Sequence, residues 1–551
     1  MRKRSILFAA GAIALVASLV IGPTASAKPA RSAAGTVVIG EDQEPDILNP
    51  YLTAGNSYTT ALALNPILAG GLIFNQKAQL VPYLFSALPK IIKADPLTVT
   101  FSYKPNAVWS DGQQITGADF VATWKTIMNP NYDITDRTGW QDIASVKAKG
   151  KSVTVAWKKG KTYASWDALV GTSPMPAHVI AGQDFNHIWD NSINIASGPF
   201  KFQSWQKGTQ LTLVKNPAYK ATPGAKLSSV VFRYIPSTPS IFQALQAGEV
   251  QVMEPQPQLQ IVDIRKNSKF NVQQGVGYQW AHVDIQVGPK GAPALKKQYV
   301  RQALVTGINR AQIRQALYIT PGIVASAKTF PVLQSNIYKP FEQYYQPNWA
   351  MYKFSQKNVI ALLKKNGCTG GPNTPSASNS AIWSCPGVGK LSFRFTTTSG
   401  NQLRALTFEI IQKQLKSVGI ELVPRFGPSA QVFGTVLPSG DWDLFMFNWV
   451  SSPTNTATSW SEYGCGGDQN YMNSCNQKAN VMYKKAEFTP DPAKRAALLN
   501  GAEKIMATQV DSIPMFIAPL FLINNKSVKG PILNPTQQGS TWNAETWQNV
   551  G

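Results

Sequence analysis

Four cysteines are the residues of this chain whose spacing bears most directly on chemistry. Cys368 and Cys385 lie in one segment rich in Gly, Asn, Ser and Pro, and Cys465 and Cys475 lie in another. Neither pair has C-x-x-C spacing and no histidine lies close by, which disfavours a metal site and a redox dithiol. Two disulfides are expected if the chain is exported. Three pairings are possible, and the local pairing would close both segments into stapled loops.

The sequence motifs of common enzyme classes are missing. There is no G-x-S-x-G nucleophile elbow and no H-E-x-x-H zinc motif, and Gly389-Lys390 lacks the flanking residues of a phosphate-binding loop. The three histidines are His178, His187 and His282. A single His on a strand is more often structural than catalytic. We therefore expect no catalytic residue, no metal and no cofactor.

The N-terminus has the pattern of a cleavable export signal. Three basic residues precede an apolar run at residues 6–21, and the small residues 25–27 suit cleavage before Lys28. A retained signal-anchor helix is the alternative, but the run is short and Gly-Pro at 22–23 follows it. We predict that residues 1–27 are a signal peptide and that the mature protein is extracytoplasmic, either secreted or held in the cell wall or periplasmic space.

The predicted mature chain is strongly basic. Removing residues 1–27 takes away three basic residues and no acidic residue, so the formal net charge falls from +23 to +20. Nucleic acid, anionic lipid and an anionic cell wall are all compatible with such a charge. The basic residues are scattered and no nucleic-acid-binding module occurs. We interpret the charge as favouring solubility and retention in the envelope, without specific nucleic-acid binding.

Residues 97–128 predict a strand, a turn and a capped helix. Apolar residues alternate as a half-buried strand requires, at Leu97, Val99, Phe101 and Tyr103. Thr116 and Asp119 have the spacing of a helix capping box. The apolar residues that follow share one helical face, namely Phe120, Val121, Trp124, Ile127 and Met128. We expect this helix to pack by its Trp124 face and to make no ligand contact.

Residues 100–130 also carry a family resemblance. Their sequence, TFSYKPNAVWSDGQQITGADFVATWKTIMNP, resembles the signature segment of bacterial extracellular solute-binding proteins of family 5, the peptide-, oligopeptide- and nickel-type binding proteins of ABC transporters. Further blocks follow in the family's order, including PDILNPY at 45–51, VRQAL at 300–304 and GDWDLFMFNW at 440–449. The chain is thereby identified as a member of this family, of the actinobacterial type.

The resemblance implies an α/β fold of the periplasmic-binding-protein-like II type, cluster C. Two Rossmann-like lobes with mixed sheets are joined by a hinge, and a smaller lobe is inserted. The expected limits are 36–74, 196–283 and 511–551 for the discontinuous lobe I, 75–195 for the inserted lobe II, and 284–510 for lobe III. Such a size suits several lobes, because single cores rarely grow beyond about 300 residues.

The function implied by the resemblance is capture of a small peptide or other peptide-like solute between lobes I and III. The lobes close on the solute and present it to the permease of an ABC importer, with the binding protein acting as a monomer. The alternative is binding of an envelope glycolipid or regulation of cell-wall biosynthesis on the same fold. Many relatives carry a lipid-attachment cysteine directly after the signal. Here the first cysteine is Cys368, so N-terminal lipid anchoring is not expected.

The family pattern also implies where the ligand would be contacted. The expected ligand contacts are Asn56, Ser57, Tyr58, Trp280, Asp284, Asn448, Trp449, Ser451 and Trp460. Polar groups here would replace the water of the ligand, and aromatic side chains would exclude more water. An ordinary exposed turn is an equal alternative for residues 55–59, and a place in the core is an equal alternative for Trp280.

The main departure from the family pattern follows Trp449. Peptide-binding relatives have an Asp within a few residues, which pairs with the amino terminus of the peptide, whereas residues 450–455 read VSSPTN here. A buried ammonium group without an opposite charge would be costly. Recognition of a free peptide N-terminus therefore requires a substitute, and the candidates are Asp284, Glu41, Asp42 and Glu44.

Overall fold

The structure is a computed structural model and describes residues 35–220, 224–453 and 459–551. The predicted signal peptide lies outside the described residues. Within those ranges no helix combines the length and the apolar character needed to cross a membrane. The α-helices are Tyr58–Leu64, Gly117–Ile127, Trp166–Val170, Ala177–Ile180, Thr238–Ala247, Gln260–Ile264, Gln298–Gly307, Arg310–Arg314, Gln356–Lys365, Gln402–Lys416, Ser429–Gln431, Leu437–Ser439, Ser459–Tyr463, Gln477–Glu487 and Pro492–Gln509.

The first of two large sheets has seven strands. They lie in the spatial order Phe270–Gly275, Leu520–Asn525, Val252–Met253, Thr36–Glu41, Ser229–Tyr234, Gln210–Lys215 and Phe200–Gln206. Thr36–Glu41 is parallel to both of its neighbours, and the remaining pairs are antiparallel. In this register the carboxyl ends of Thr36–Glu41 and Val252–Met253 lie side by side. In open α/β sheets, ligands bind beyond such carboxyl ends.

The second large sheet has five strands. They lie in the spatial order Glu421–Gly427, Ser392–Thr398, Leu444–Val450, Gln279–Ile285 and Ser512–Ile517. Ser392–Thr398 is parallel to both of its neighbours. Gln279–Ile285 is antiparallel to both of its neighbours. The helix Gln402–Lys416 connects two of the parallel strands, as the predicted strand-helix alternation requires. Both large sheets are therefore mixed, and the expected fold class is confirmed.

Two short segments carry the chain between the large sheets. Residues 276–278 lead from the seven-stranded sheet into Gln279–Ile285, and residues 518–519 lead from Ser512–Ile517 back. Both of these strands pair within the five-stranded sheet, although the predicted limits put most of them in lobe I. The difference arises because the chain crosses at 276–278 and 518–519, several residues away from 283 and 511. The lobe limits themselves stay a prediction.

The segment at residues 97–128 forms the predicted strand and capped helix. The strand Thr98–Ser102 belongs to a four-stranded sheet with Ser152–Trp157, Ile143–Lys149 and Lys90–Lys93. Thr116 and Asp119 form the capping box of the helix Gly117–Ile127. The buried stripe of this helix contains Phe120, Thr123 and Ile127, whereas Trp124 is only half-buried. Thr123 turns inward because its hydroxyl donates to the Asp119 carbonyl and accepts from the Met175 N–H.

The cysteines form two disulfides with the local pairing. Cys368 is bonded to Cys385, and Cys465 is bonded to Cys475. The first bond closes a loop that follows the C-terminal end of the helix Gln356–Lys365 and contains the short strand Ser384–Cys385, which pairs with Gly389–Lys390. The second bond closes the loop that carries residues 466–474. The two expected disulfides are present, and of the three possible pairings the structure contains the local one.

Candidate functional site

The candidate site is a cavity of about 210 Å³ between the two large sheets. The seven-stranded sheet contributes residues beyond its parallel carboxyl ends, and the five-stranded sheet contributes the end of Leu444–Val450. The lining residues that determine the chemistry of the cavity are Glu41, Asp42, Asn56, Tyr58, Glu254, Arg404, Phe433, Phe447, Asn448, Trp449 and Tyr471. The cavity thus combines ionisable, amide and aromatic groups, the mixture typical of a site for a polar organic ligand.

Among the described residues of the lining, the acidic and basic side chains are three carboxyl groups and one guanidinium group. Glu41, the last residue of its strand, is buried, and its Oε1 has no hydrogen-bond partner in the described residues. The Glu254 carboxylate accepts from the Tyr58 hydroxyl at 2.6 Å and from the Ser540 N–H at 2.9 Å. Both oxygens of Glu254 are thus fixed, and the carboxylate is oriented before any ligand arrives.

Burial and mutual repulsion perturb these carboxyl groups. Burial raises the pKa of Glu41 well above its usual value, and the nearby Glu254 and Asp42 raise it further. Burial also raises the pKa of Asp42, while the Arg404 guanidinium acts in the opposite direction. Burial lowers the pKa of Arg404, and Asp42 counteracts this shift. The charge of Arg404 is therefore matched mainly by Asp42, and Glu41 and Glu254 have no such partner.

Aromatic side chains form one wall of the cavity. The Trp449 ring lies parallel to the His282 ring at a centroid distance of 6.0 Å, and to the Tyr471 ring at 6.5 Å. Phe447 meets Trp449 edge-on at 5.1 Å. These contacts hold the indole in one orientation at the end of its strand. A rigid aromatic wall excludes water and costs little conformational entropy when a ligand binds.

Hydrogen bonds cross the cleft beside the cavity. The Asn56 Nδ2 donates to the Gln469 Oε1 at 3.2 Å, and the Gln469 Nε2 lies 3.4 Å from the Asp136 Oδ2. The backbone N–H of Arg137 donates to the Asp468 carboxylate at 3.0 Å. Asp468 and Gln469 lie in the loop closed by the second disulfide. This loop therefore connects the five-stranded side of the molecule to the segment before the strand Ile143–Lys149 and to the loop before helix Tyr58–Leu64.

A second cavity, of about 20 Å³, lies next to residues 451 and 452. Its floor contains Trp280, and the buried Lys339 ammonium lies 3.2 Å from the centroid of the Trp280 ring. Burial lowers the pKa of Lys339 to about 8, and burial raises the pKa of Glu462 in the same wall to about 7. This space is too small for an organic ligand and is the size of a water site.

The structure brings together some of the predicted contact residues and separates the others. Five of the predicted residues line the large cavity, namely Asn56, Ser57, Tyr58, Asn448 and Trp449. The Ser57 hydroxyl also caps the helix Tyr58–Leu64. Trp280 and Ser451 line the small cavity instead, and Trp280 is 3 % exposed within a core cluster.

Asp284 and Trp460 line neither cavity. Asp284 is buried, with its Oδ2 at 3.4 Å from the His282 Nε2. Trp460 packs on the core and donates from its Nε1 to the Asn480 Oδ1 at 2.8 Å. Glu44 also lies elsewhere, because its carboxylate accepts from the Trp205 indole and the Gly208 N–H. As ligand contacts, the nine residues stay predictions. Of the candidate substitutes for the missing Asp, only Glu41 and Asp42 line the large cavity.

Several residues of the large cavity were not predicted from the sequence. They are Glu254, Arg404, Phe433, Phe447 and Tyr471. Glu254 directly follows the two-residue strand Val252–Met253, and only the pairing of that strand with Thr36–Glu41 places it beside Glu41. Among the described residues, no group of His, Cys, Asp or Glu is arranged to hold a metal ion.

Comparison with known proteins gives a family match and a related protein of known name. Residues 79–471 match the family described as bacterial extracellular solute-binding proteins, family 5 Middle. The oligopeptide-binding protein AppA of Bacillus subtilis is 26 % identical over 359 residues, which cover 63 % of this chain and 62 % of AppA. The aligned segment thus spans less than two thirds of that relative.

Two solved structures share the fold over nearly the whole chain. The structure of AppA from Bacillus subtilis in complex with a nonapeptide has a TM-score of 0.81 at 19 % identity and covers 95 % of this chain and 100 % of AppA. A periplasmic EDTA-binding protein, EppA, has a TM-score of 0.80 at 21 % identity and covers 97 % of this chain and 100 % of EppA. At these identities the likeness extends to the fold alone.

Proposed function

Because this chain belongs to the bacterial extracellular solute-binding proteins of family 5, we propose that it captures a peptide-like solute between its two large sheets and delivers it to the permease of an ABC importer. The solute is bound without chemical change. AppA, a relative by sequence and by fold, is an oligopeptide-binding protein. The ligand class of this chain is inferred from that relationship together with the composition of the cavity.

The observation that carries the proposal is the cavity itself, with the contacts that close over it. Asn56 and Tyr471 line the cavity, and Asn56 also bonds to Gln469 on the disulfide loop. A ligand between the two sheets would therefore touch the same segments that hold the cleft closed. Binding and closure are coupled in such an arrangement, since each stabilises the other.

The proposal includes the route and state of the protein. The chain is exported, residues 1–27 are removed, and the mature monomer acts outside the cytoplasm. N-terminal sequencing of the protein recovered from culture supernatant or cell envelope tests this part. Lys28 as the first residue is the expected result, and a retained Met1 would contradict cleavage. Permease genes beside the coding sequence would support the importer role.

A binding screen tests the proposed ligand class. The mature protein, residues 28–551, is screened by thermal shift against short peptides, sugars and glycolipids, and every hit is titrated by calorimetry. We expect short peptides to raise the unfolding temperature and to bind with one-to-one stoichiometry. A response to sugars or glycolipids with no response to peptides would contradict the peptide-carrier proposal.

The alternative function is binding of an envelope glycolipid on the same fold. The observation that favours it is the missing carboxylate after Trp449, where residues 450–452 are Val, Ser and Ser. The glycolipid arm of the screen decides between the two functions.

A further inference from the structure

We propose that the solute carries a protonated amine or guanidinium group, which Glu41 and Glu254 bind together at the end of the parallel strand pair. This inference rests on the proposed function and adds the charge of the ligand. It also assigns a substitute for the carboxylate that is missing after Trp449. The two glutamates lie on the opposite side of the cavity, on the seven-stranded sheet.

The first argument is the register of two parallel strands. Ile39 pairs with Val252 and Gly40 pairs with Met253, so the next residues, Glu41 and Glu254, lie side by side at this end of the sheet. Both side chains line the cavity. Two carboxylates held next to each other repel when both are ionised. A cation placed between them removes this repulsion and gains attraction from both.

The second argument is the hydrogen bonding of each carboxylate. Glu254 is held by Tyr58 and Ser540, which fixes its position, and each of its two oxygens has a second lone pair with which to accept a further hydrogen bond. Glu41 is 7 % exposed. Its Oε1 has no hydrogen-bond partner in the part of the chain that the structure describes. A buried acceptor without a partner is unfavourable. A ligand N–H donor would satisfy it.

The third argument is the charge balance of the cavity compared with that of the protein. The mature chain carries a large excess of basic residues, yet the lining residues that the structure describes include three acidic side chains and one basic side chain, Arg404. Asp42 offsets Arg404, as their opposing effects on each other's pKa indicate. The two glutamates therefore have no basic partner among the described residues of the lining. A cationic ligand group would complete the balance.

The cation could be a peptide amino terminus or a basic side chain, and four tripeptides distinguish these sources. Trialanine offers only the α-ammonium, and N-acetyl-Ala-Lys-Ala offers only the side-chain ammonium. Ala-Lys-Ala offers both groups, and N-acetyl-trialanine offers neither. Each peptide is titrated by calorimetry at pH 7 into the wild-type mature protein and into E41Q, E254Q and E409Q. Glu409 is an exposed glutamate on the helix Gln402–Lys416 and does not line the cavity, which makes E409Q the matched control.

We expect N-acetyl-trialanine to bind at least tenfold more weakly than the best cationic peptide. We also expect E41Q and E254Q to weaken that cationic peptide at least tenfold, while E409Q leaves it unchanged. Equal binding of N-acetyl-trialanine and the cationic peptides, or unchanged binding in E41Q, would overturn the inference. Circular dichroism and the unfolding temperature establish that each variant is folded, and E41D serves as a second variant that keeps the charge.

The two proposals fail in different ways. If the wild-type protein binds only a neutral or anionic solute from the screen, the charge assignment is overturned and solute binding stands. If no peptide, sugar or other small solute binds the folded protein, the proposed function itself is contradicted.

Discussion

Asn56 donates a hydrogen bond to Gln469 across the cleft, from its Nδ2 to the glutamine Oε1 at 3.2 Å. Asn56 lines the ligand cavity, and Gln469 lies in the loop closed by Cys465 and Cys475. The closing contact and the binding site are thus one connected structure. A solute that orders Asn56 also favours the closed arrangement, and loss of the contact should let the solute leave faster.

The first prediction follows from this contact. Q469A removes the hydrogen bond to Asn56 and the contact with Asp136, and a hydrogen bond contributes about 0.5 to 1.5 kcal/mol net. We expect dissociation of Ala-Lys-Ala, measured by stopped-flow, to become about three- to tenfold faster, with little change in association. Q477A, at an exposed glutamine nearby, is the control. Equal dissociation rates in both variants would contradict a closing role for Gln469.

The two disulfides are predicted to differ in their effect on peptide affinity. Removal of either one should lower the free energy of unfolding by about 2 to 4 kcal/mol, because each closes a loop in the unfolded chain. C465S/C475S should also weaken peptide affinity, since its loop carries Gln469 and Tyr471. C368S/C385S should leave affinity unchanged, because its loop does not line the cavity. Equal losses of affinity in the two double variants would contradict this assignment.

Peptide affinity is predicted to depend on pH through the cavity carboxyl groups. Burial raises the pKa of Glu41, and burial also raises that of Glu254. A carboxyl group attracts a cation only above its folded-state pKa, so affinity should rise as the pH increases from 4 to 7. Calorimetry with N-acetyl-Ala-Lys-Ala, whose ammonium stays charged throughout, measures this. In E41Q the rise should be smaller, and a falling affinity over the same interval would contradict the prediction.

Stability is predicted to fall between pH 5 and pH 8. Burial, reinforced by Asp136 and Asp142, raises the pKa of Glu487 to about 8, and burial raises the pKa of Glu545 to about 7. A raised carboxyl pKa means that the folded state holds more protons than the unfolded state between about pH 4.5 and that pKa, so the free energy of unfolding decreases as pH increases. Urea denaturation at pH 5, 6.5 and 8 measures this dependence.

E487Q isolates the contribution of Glu487. At pH 8 this variant should be more stable than the wild-type protein by about 1 to 3 kcal/mol, since one pKa unit corresponds to about 1.4 kcal/mol. At pH 5 the difference between the two proteins should be much smaller, because the linkage begins only at about pH 4.5. E409Q should follow the wild-type protein at every pH. A wild-type stability that stays constant or increases from pH 5 to pH 8 would refute the proposed linkage.

The elements that local chemistry specifies could be predicted from the sequence. Thr116 with Asp119 begins a helix where their spacing indicated. Asn309 and Asp491 cap the starts of two further helices in the same local way. Each cap is satisfied within a few residues, so the neighbouring sequence contains all of its partners. The alternation at Leu97, Val99, Phe101 and Tyr103 likewise produced a strand with these side chains buried.

The site was less predictable because it is assembled from distant segments. The family resemblance points to Asn448 and Trp449, which lie at the end of the strand Leu444–Val450 and line the cavity. Glu254 could not, since its place beside Glu41 depends on the parallel pairing of two strands far apart in sequence. Asp284 has a carboxylate at a plausible strand position, but its side of the sheet faces the interior beside His282. Successive side chains of a strand point to opposite faces of the sheet, so a shift of one residue decides whether a side chain faces the cavity or the core.

The most direct test of the account is to fill the cavity and measure solute binding. Ala61 lies on the helix Tyr58–Leu64, is half-buried and lines the cavity. Ala122, on the helix Gly117–Ile127, is also half-buried but does not line it. Calorimetry with Ala-Lys-Ala should show that A61W loses binding while A122W binds like the wild-type protein, both being folded. Binding by A61W with wild-type affinity would contradict a solute site between the two sheets.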